Sequence, residues 1–379
     1  MIVIADDITG AAEIAGIAFA HGLQVRLVCS PAVGHCNSAN TANFSNFDIT
    51  VIATDTRSLT ENEAAEETRR IAGSLSPTPS LLFKKTDSAL RGHVVAELTT
   101  LMQALNIPRA VYLPANPSKG RIIINGTYYI GTPPLPLRSN RVDPTHLKLL
   151  TDTPFSYDPE FPATTAILSE RFAEAANHHI IMPDAATAED IRNAIVAYDD
   201  GATLFAGAAD LFTAFIENVA DKVSTPLPYR EGQGGESTLI LCGSTQSRPP
   251  SIGIPLSEMP LTVYDGSDDT DSWMADAAAK YSAAGSLILH IPYRHRTGKT
   301  AAVHLRQAMA AIATQLYAMK PAANIIIEGG ATAWATLQGL GWQTFRIVGQ
   351  TAPGVVTMQA DNGTLVTLKP GSYPWGKTY

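Results

Sequence analysis

Ile2-Val3-Ile4-Ala5-Asp6-Asp7-Ile8-Thr9-Gly10-Ala11-Ala12-Glu13 reads as a short apolar strand that turns directly into a helix. Four consecutive apolar residues suit a buried strand, and Thr9-Gly10 gives the backbone room to turn. Two acids stand at the carboxyl end of that strand, the edge outside which ligands collect in open α/β sheets. A helix N-terminus there favours anions, and it also favours Asp as a cap. Asp6 and Asp7 are both candidates for a reacting carboxylate that holds a hydroxyl or accepts a proton, while one of them has a purely structural alternative as the cap.

The rhythm continues outward. Strand-like runs at 25–29, 50–54, 81–84 and 110–114 alternate with helical stretches at 10–21, 61–75 and 94–105. A proline-rich interval, 120–162, predicts hairpins and a surface excursion, after which strands at 179–183 and 203–206 alternate with helices at 187–197 and 209–219. Glycines, prolines and mixed charge at 224–237 mark a boundary. Beyond it, strands are expected at 238–242, 261–264, 286–291, 324–328 and 345–348, and helices around 272–284, 301–319 and 332–340. The expected fold is two α/β domains, 1–228 and 236–379, with mostly parallel sheets and an active-site cleft between them.

A second informative run, Lys84-Lys85-Thr86-Asp87-Ser88-Ala89-Leu90-Arg91-Gly92, follows an apolar strand and sets three cations beside an acid. Lysine offers a compact charge and arginine a planar fork for carboxylate or phosphate, while Asp87 and Ser88 suit neutral hydroxyls. A solvated charged turn is the bland alternative, and the acid pair at the first strand end tips the balance toward a site for a small polar anion.

The 379 residues, 45% hydrophobic, are enough for two sizeable cores. A net charge of -8 supplies no basic face, so neither nucleic acid nor an anionic membrane is an expected partner. Cys29, Cys36 and Cys242 are too few and scattered for a disulfide framework or thiolate metal site, which suits a reducing cytosol. The chain opens on a strand rather than a signal peptide, and no apolar run reaches membrane-spanning length, so a cytoplasmic location is expected. None of the nine histidines falls in an H-E-x-x-H pattern. A homodimer is compatible with the sequence, which specifies no oligomeric state.

Thr297-Gly298-Lys299-Thr300 has the ending of a Walker A phosphate loop, but Tyr293 stands where the first glycine is required. Better candidates are Gly243-Ser244 and Gly329-Gly330-Ala331-Thr332, each following a strand, because glycines there expose backbone N–H groups at a positive helix end. Ala352-Pro353-Gly354 and Lys369-Pro370-Gly371 are later turns suited to cover a base or ribose. The absence of G-x-G-x-x-G argues against a dinucleotide-dependent dehydrogenase.

Together these stretches resemble the four-carbon acid sugar kinases. Residues Ala5 to Ala11 resemble that family's A-D-D-L-T-G-A opening, and Lys84 to Gly92 its K-K-I-D-S-T-L-R-G motif. Pro114-Ala115-Asn116-Pro117 through Gly120-Arg121 resembles P-A-x-P-x-x-G-R, Gly329 to Thr332 resembles G-G-x-T, and Ala352 to Val355 matches A-P-G-V. The chain departs from the pattern at Thr245-Gln246-Ser247, at Ala333-Trp334, where packing against the sheet is expected, and at Pro370 to Gly376.

The resemblance implies a front domain that binds the sugar acid, a rear domain that binds ATP with Mg²⁺ on its phosphates, and phosphoryl transfer between them. It places the ATP contacts on Ser244, Gly329, Gly330, Ala331, Thr332 and Gly371. Asp7, Lys84, Asp87, Arg91 and Arg121 fall on the acid's side, joined by Arg57. Within that reading Arg91 and Arg121 fix the carboxylate, Lys84 or Lys85 neutralises the transferred phosphate or the acid, and Asp87 binds hydroxyls. Asp7 is the base, with Asp6 its substitute. The magnesium ligands are not readable, since that ion keeps waters and takes few carboxylates. The K-K-x-D-S-x-L-R-G form favours threonate or erythronate over the family's oxo-acid branch. A kinase of another hydroxy acid stays open, as does a sugar-acid-binding or regulatory protein without transfer activity.

Overall fold

The computed structural model describes residues 1–30, 47–75, 78–133, 137–138, 141–142, 146–158, 161–219, 237–244, 248–267, 270–292, 299–371 and 375. The opening stretch forms β1 (Ile2–Ala5), buried along its whole length, and α1 (Ile8–Ala20). Alternation continues through β2 (Val25–Cys29), β3 (Ile49–Ala53), α2 (Glu61–Ser74), β4 (Leu82–Lys85), α3 (Val94–Leu105) and β5 (Arg109–Leu113). Helix α2 starts at a reciprocal cap in which the Thr60 side chain accepts from Glu63 N and the Glu63 carboxylate accepts from Thr60 N.

The proline-rich interval is an excursion built on a hairpin of β6 (Arg121–Ile124) and β7 (Thr127–Ile130). Asn125 and Gly126 both take left-handed backbone at its tip, the pattern that a two-residue hairpin turn demands. Short strands β8 (Leu137–Arg138), β9 (Arg141–Val142) and β10 (Lys148–Leu149) complete it. The chain then returns to the sheet with α4 (Leu168–Arg171), β11 (Ile180–Ile181), α5 (Ala188–Tyr198), capped by Thr187, β12 (Thr203–Gly207) and α6 (Ala209–Val219).

The second half contains β13 (Thr238–Cys242), β14 (Leu256–Glu258), α7 (Leu261–Asp265), α8 (Asp271–Ala284), β15 (Leu287–His290), α9 (Lys299–Met319), β16 (Asn324–Glu328) and α10 (Gly330–Gly339). It closes with β17 (Thr344–Ala352), β18 (Val355–Ala360) and β19 (Leu365–Lys369). Residues 261–264 form a helix rather than the expected strand. Pro260 precedes the turn, Tyr264 N bonds Pro260 O at 2.9 Å, and Gly266 at φ 73° ends it, so the flanking residues override the β-branched composition. Trp334 packs into the core, as expected. The expected boundary at 224–237, apart from Ser237, lies outside the described residues, as do 245–247 and 293–298.

Fourteen strands form one sheet in the order β11-β5-β12-β4-β1-β3-β2-β17-β18-β19-β16-β13-β15-β14. The seven strands from β11 to β2 are mutually parallel, and so are the five from β19 to β14. Three antiparallel pairings, β2–β17, β17–β18 and β18–β19, join the blocks. An odd number of reversals points the blocks in opposite directions in a flat sheet. Twist offsets this: six neighbour steps separate β1 from β16, and at roughly 20–25° each they turn the sheet by about 120–150°. The start of α10 after β16 accordingly meets the start of α1 after β1 at Gly330 and Thr9, and α1 packs against β17, β18 and α10.

Candidate active site

The carboxyl end of β1 is organised by Arg57, which sits in the short helical turn Thr56–Ser58 after β3. Its Nε donates to Asp6 Oδ2 at 2.9 Å and its Nη2 to Asp7 Oδ1 at 3.1 Å. Nη1 lies 3.1 Å from Asp7 Oδ2 and 4.0 Å from Asp87 Oδ1. Because β1 lies between β3 and β4, three strand ends deliver these four residues to one edge. Burial alone would lower the Arg57 pKa, but the carboxylates of Asp6 and Asp7 outweigh it and hold the guanidinium charged.

Asp7 caps α1, its Oδ1 accepting from Gly10 N at 2.9 Å. A Cβ on Gly10 would lie 2.7 Å from Asp7 Oδ1 and 3.2 Å from Lys85 Nζ, so glycine here lets both groups close on the helix. Asp6 is buried, which pushes its carboxyl pKa up, and its Oδ1 has no hydrogen-bond partner among the described residues.

After β4 the chain makes the second cluster. Asp87 and Arg91 close a forked pair, Nε to Oδ2 at 2.8 Å and Nη2 to Oδ1 at 3.1 Å, and Ala89 N donates to Oδ2 at 3.0 Å. Desolvation opposes the Asp87 charge, but Arg57 and Arg91 override it and hold the carboxyl far below the usual range. Arg121 Nη1 donates to Ser88 Oγ, and the Tyr128 hydroxyl donates to the Ser88 carbonyl. The loop bends through Leu90, left-handed at φ 63°, whose carbonyl accepts two hydrogen bonds from Arg171. The Arg91 and Arg121 guanidiniums lie over the Phe155 ring, 5.9 and 5.4 Å from its centre, and Asp158 stands 3.5 Å from Arg91.

The two lysines of the motif part company. Lys84 is 1% exposed and ion-paired with Glu97 of α3 beneath the sheet edge. Lys85 lies nearer the turn, its Nζ donating to Thr86 O at 3.0 Å and standing 3.4 Å from Glu13. Of the two lysines offered for neutralising the phosphate or the acid, Lys84 is thus turned to Glu97 and Lys85 to Glu13, because alternate residues of a strand project to opposite faces.

In the second half, β16 ends in Glu328 and Gly329 turns at φ 93° into α10. A Cβ on Gly243 would lie 2.8 Å from both Glu328 O and Thr332 Cβ. A Cβ on Gly371 would lie 3.7 Å from Ser244 Cβ and 3.8 Å from Gly329 Cα. Ser244, Gly329, Thr332 and Gly371 thus converge from the turns after β13, β16 and β19, with Gly330 and Ala331 in the first turn of α10. Beneath them Glu328 and Lys369 form a buried ion pair at 2.6 Å, and the lysine rests 4.7 Å over the Trp375 ring.

The halves touch. A Cβ on Gly330 would overlap Thr9 Oγ1 and stand 3.7 Å from Asp7 Oδ2. The first turn of α10 is thereby packed on the turn that carries Asp7. Sequence reading passed over Glu13, Asp55, Lys119, Phe155, Asp158 and Arg171. Only Glu13 left a signal, falling with Asp7 and Gly10 at intervals of three in a helical stretch. Among the described residues no trio of His, Cys, Asp or Glu is grouped to hold a metal ion, and no helix is long and apolar enough to cross a membrane.

The arrangement defines a two-part α/β protein whose front half gathers arginines and carboxylates and whose rear half gathers glycine turns. The chain belongs to the family that joins a sugar-binding N-terminal domain, matched over residues 1–215, to a nucleotide-binding C-terminal domain, matched over 263–373. It is 31% identical over 178 residues to a D-threonate kinase of Salmonella typhimurium, a match covering 46% of this chain and 35% of that protein. It is 27% identical to a D-erythronate kinase of Heliobacterium modesticaldum over 64% of this chain and 57% of the relative. With a 3-oxo-tetronate kinase of Actinobacillus succinogenes it shares 24% identity over 98% of this chain and 96% of the other. The first two matches thus span about a third and somewhat over half of those relatives. Among solved structures, a Haemophilus influenzae protein shares the fold at a TM-score of 0.67 and 21% identity, over 98% of this chain and 96% of that one.

Proposed function

We propose that this protein transfers the γ-phosphoryl group of ATP to a hydroxyl of a four-carbon sugar acid of the threonate or erythronate type. The observation that carries the reading is the contact between the Asp7 turn and Gly330, which sets a carboxylate against the N-terminus of a helix. An acid on the front half and a nucleotide on the glycine turns would then meet at that point. Phosphoryl transfer asks mainly for alignment and charge neutralisation, and the two clusters supply both.

In this reading the amides of Gly329 to Thr332 and the Ser244 and Gly371 turns hold the ATP phosphates. Arg91 and Arg121 hold the acid's carboxylate, and Arg57 and Asp87 hold its hydroxyls. The acceptor oxygen attacks the γ-phosphorus, the bond to the ADP oxygen breaks, and the acceptor's proton passes to Asp7. Asp6 is buried, which raises its pKa and favours its protonated form, so it is less available to accept a proton. Asp6, Asp7 and Asp87 are each engaged by an arginine, so the residues present fit magnesium carried by the nucleotide, and the ion, when bound, would neutralise charge on the phosphates.

The test is ADP release with ATP and a panel of D-threonate, D-erythronate, 3-oxo-tetronate and longer aldonates. D-threonate or D-erythronate should give the highest kcat/KM. ATP turnover that no acid stimulates rejects the reading. Asp7→Asn should lower kcat about 10²- to 10⁴-fold with little change in the acid's KM, and an unchanged kcat excludes Asp7 as the base.

A further inference from the structure

Glu13 joins two lysines that come from different parts of the chain. Its Oε2 lies 3.4 Å from Lys85 Nζ at the end of β4, and its Oε1 accepts from Lys119 Nζ in the turn Pro117–Lys119. Burial works against the Glu13 charge, yet Lys85 and Lys119 hold its pKa below the ordinary value, so two cations share one carboxylate. The Lys119 turn is itself anchored. Ser118 donates from N and Oγ to Asp210 at 2.8 and 2.7 Å, and Gly120, at φ 70°, packs where a Cβ would lie 2.8 Å from the Gly131 carbonyl carbon.

This pair of ammonium groups borders the meeting point of the two halves. Lys85 Nζ is 3.2 Å from the place of a Cβ on Gly10, which is 2.7 Å from Asp7 Oδ1, and Asp7 in turn abuts Gly330. An ammonium offers three donors, and the Lys119 side chain is 34% exposed. We infer that Lys85 and Lys119, held side by side by Glu13, form the cationic seat of the transferred phosphoryl group. Lys85 is itself buried, so Lys119 is the exposed member of the pair, whereas Lys84 is committed to Glu97 of α3. The inference rests on the kinase reading for its place in catalysis, but the seat itself is a phosphate site that can be measured without turnover.

Titration of the whole protein with inorganic phosphate tests it. Lys119→Met should weaken phosphate binding about tenfold or more, and Lys119→Arg should stay within about threefold of wild type. The lysine lies in a surface turn, so the Met variant should fold, and its melting temperature checks this. Glu13→Gln, which removes the carboxylate charge that the two ammonium groups share and no longer fixes them, should bind phosphate at least as tightly while kcat falls about tenfold. Absence of phosphate binding to wild type, or equal affinity in Lys119→Met, overturns the inference. Wild type that binds phosphate but yields no acid-dependent ADP instead refutes the kinase reading and leaves the seat standing.

Discussion

Gly330→Ala is the substitution that speaks most directly to how the two halves meet. Gly330 opens α10 and its backbone is not among the left-handed glycines, so alanine is acceptable to the helix and raises intrinsic helix propensity by about 1 kcal/mol. The new methyl, however, would fall inside van der Waals contact of Thr9 Oγ1, closer than the 3.0 Å that Cβ atoms keep. Either Thr9 leaves its rotamer, at a cost of about 0.5–1.5 kcal/mol, or the turns separate by on the order of 1 Å, a misplacement able to cost about 10²-fold in rate. The expected result is a kcat lowered about 10- to 100-fold in acid-dependent ADP release, with the melting temperature within a few degrees of wild type. Thr9→Ala removes the offending oxygen, and the nearest remaining atom, Thr9 Cβ, stands at 3.4 Å, an ordinary contact. The double variant should therefore recover most of the lost activity. Full activity in Gly330→Ala, or a double variant no better than the single, refutes the claim that Thr9 and Gly330 pack together during turnover.

Lys84→Met should destabilise by about 3–5 kcal/mol in urea unfolding, because it strands the Glu97 carboxylate, and adding Glu97→Leu should restore much of the loss; stability unchanged in the single variant would show the pair to be open to water. Phe155→Leu removes the ring beneath two guanidiniums, worth about 1–2 kcal/mol in all, and should raise the acid's KM about 5- to 30-fold with kcat preserved. An unchanged KM would separate the ring from acid binding. Asp55, pushed up by burial to about 6 from an ordinary 3.8, holds its proton more tightly in the folded state than in the unfolded one. Its contribution is present at low pH and is lost as pH rises from about 4 to about 6, so Asp55→Asn should gain on wild type by up to about 3 kcal/mol across that window and by no more above it. A stability difference independent of pH would contradict that burial.

Most of the sheet was legible because each strand carries a local signal. The runs at 2–5, 25–29, 238–242 and 324–328 coincide with β1, β2, β13 and β16, since buried parallel strands are short apolar blocks with turns on either side. The antiparallel join was not legible. β18 and β19 lay unread between glycine turns, and their partners are set by long-range pairing that no local pattern encodes. The segment 261–264 went wrong for the opposite reason, a local β-branched signal overruled by Pro260 and Gly266. At the site Asp6, Asp7 and Asp87 gather around Arg57. What the sequence could not supply was which cation faces which acid. Lys84 and Lys85 are neighbours with the same chemistry, and only the alternation of the strand sends one to Glu97 and the other toward Glu13.

That pairing bears on how such a site tolerates its own charge. Every cation proposed for the acid already answers to a protein carboxylate or hydroxyl: Arg57 to Asp6 and Asp7, Arg91 to Asp87 and Asp158, Arg121 to Ser88. Buried charges left alone would cost several kcal/mol apiece, so the folded protein carries internal counterions. A ligand carboxylate entering here gains little from raw attraction and must instead share or replace a partner. Asp158, at 3.5 Å and on the excursion rather than the sheet, is the loosest of these partners, whereas Asp87 is gripped by one fork of two hydrogen bonds from Arg91 and by a backbone amide. An arriving sugar acid would therefore displace Asp158 from Arg91 and leave the Asp87 pair intact. Selectivity would then come from whether the acid reproduces the geometry of that exchange, and Asp158→Asn, by weakening the internal competitor, should lower the acid's KM; a raised KM would mean that Asp158 positions Arg91 instead of competing for it.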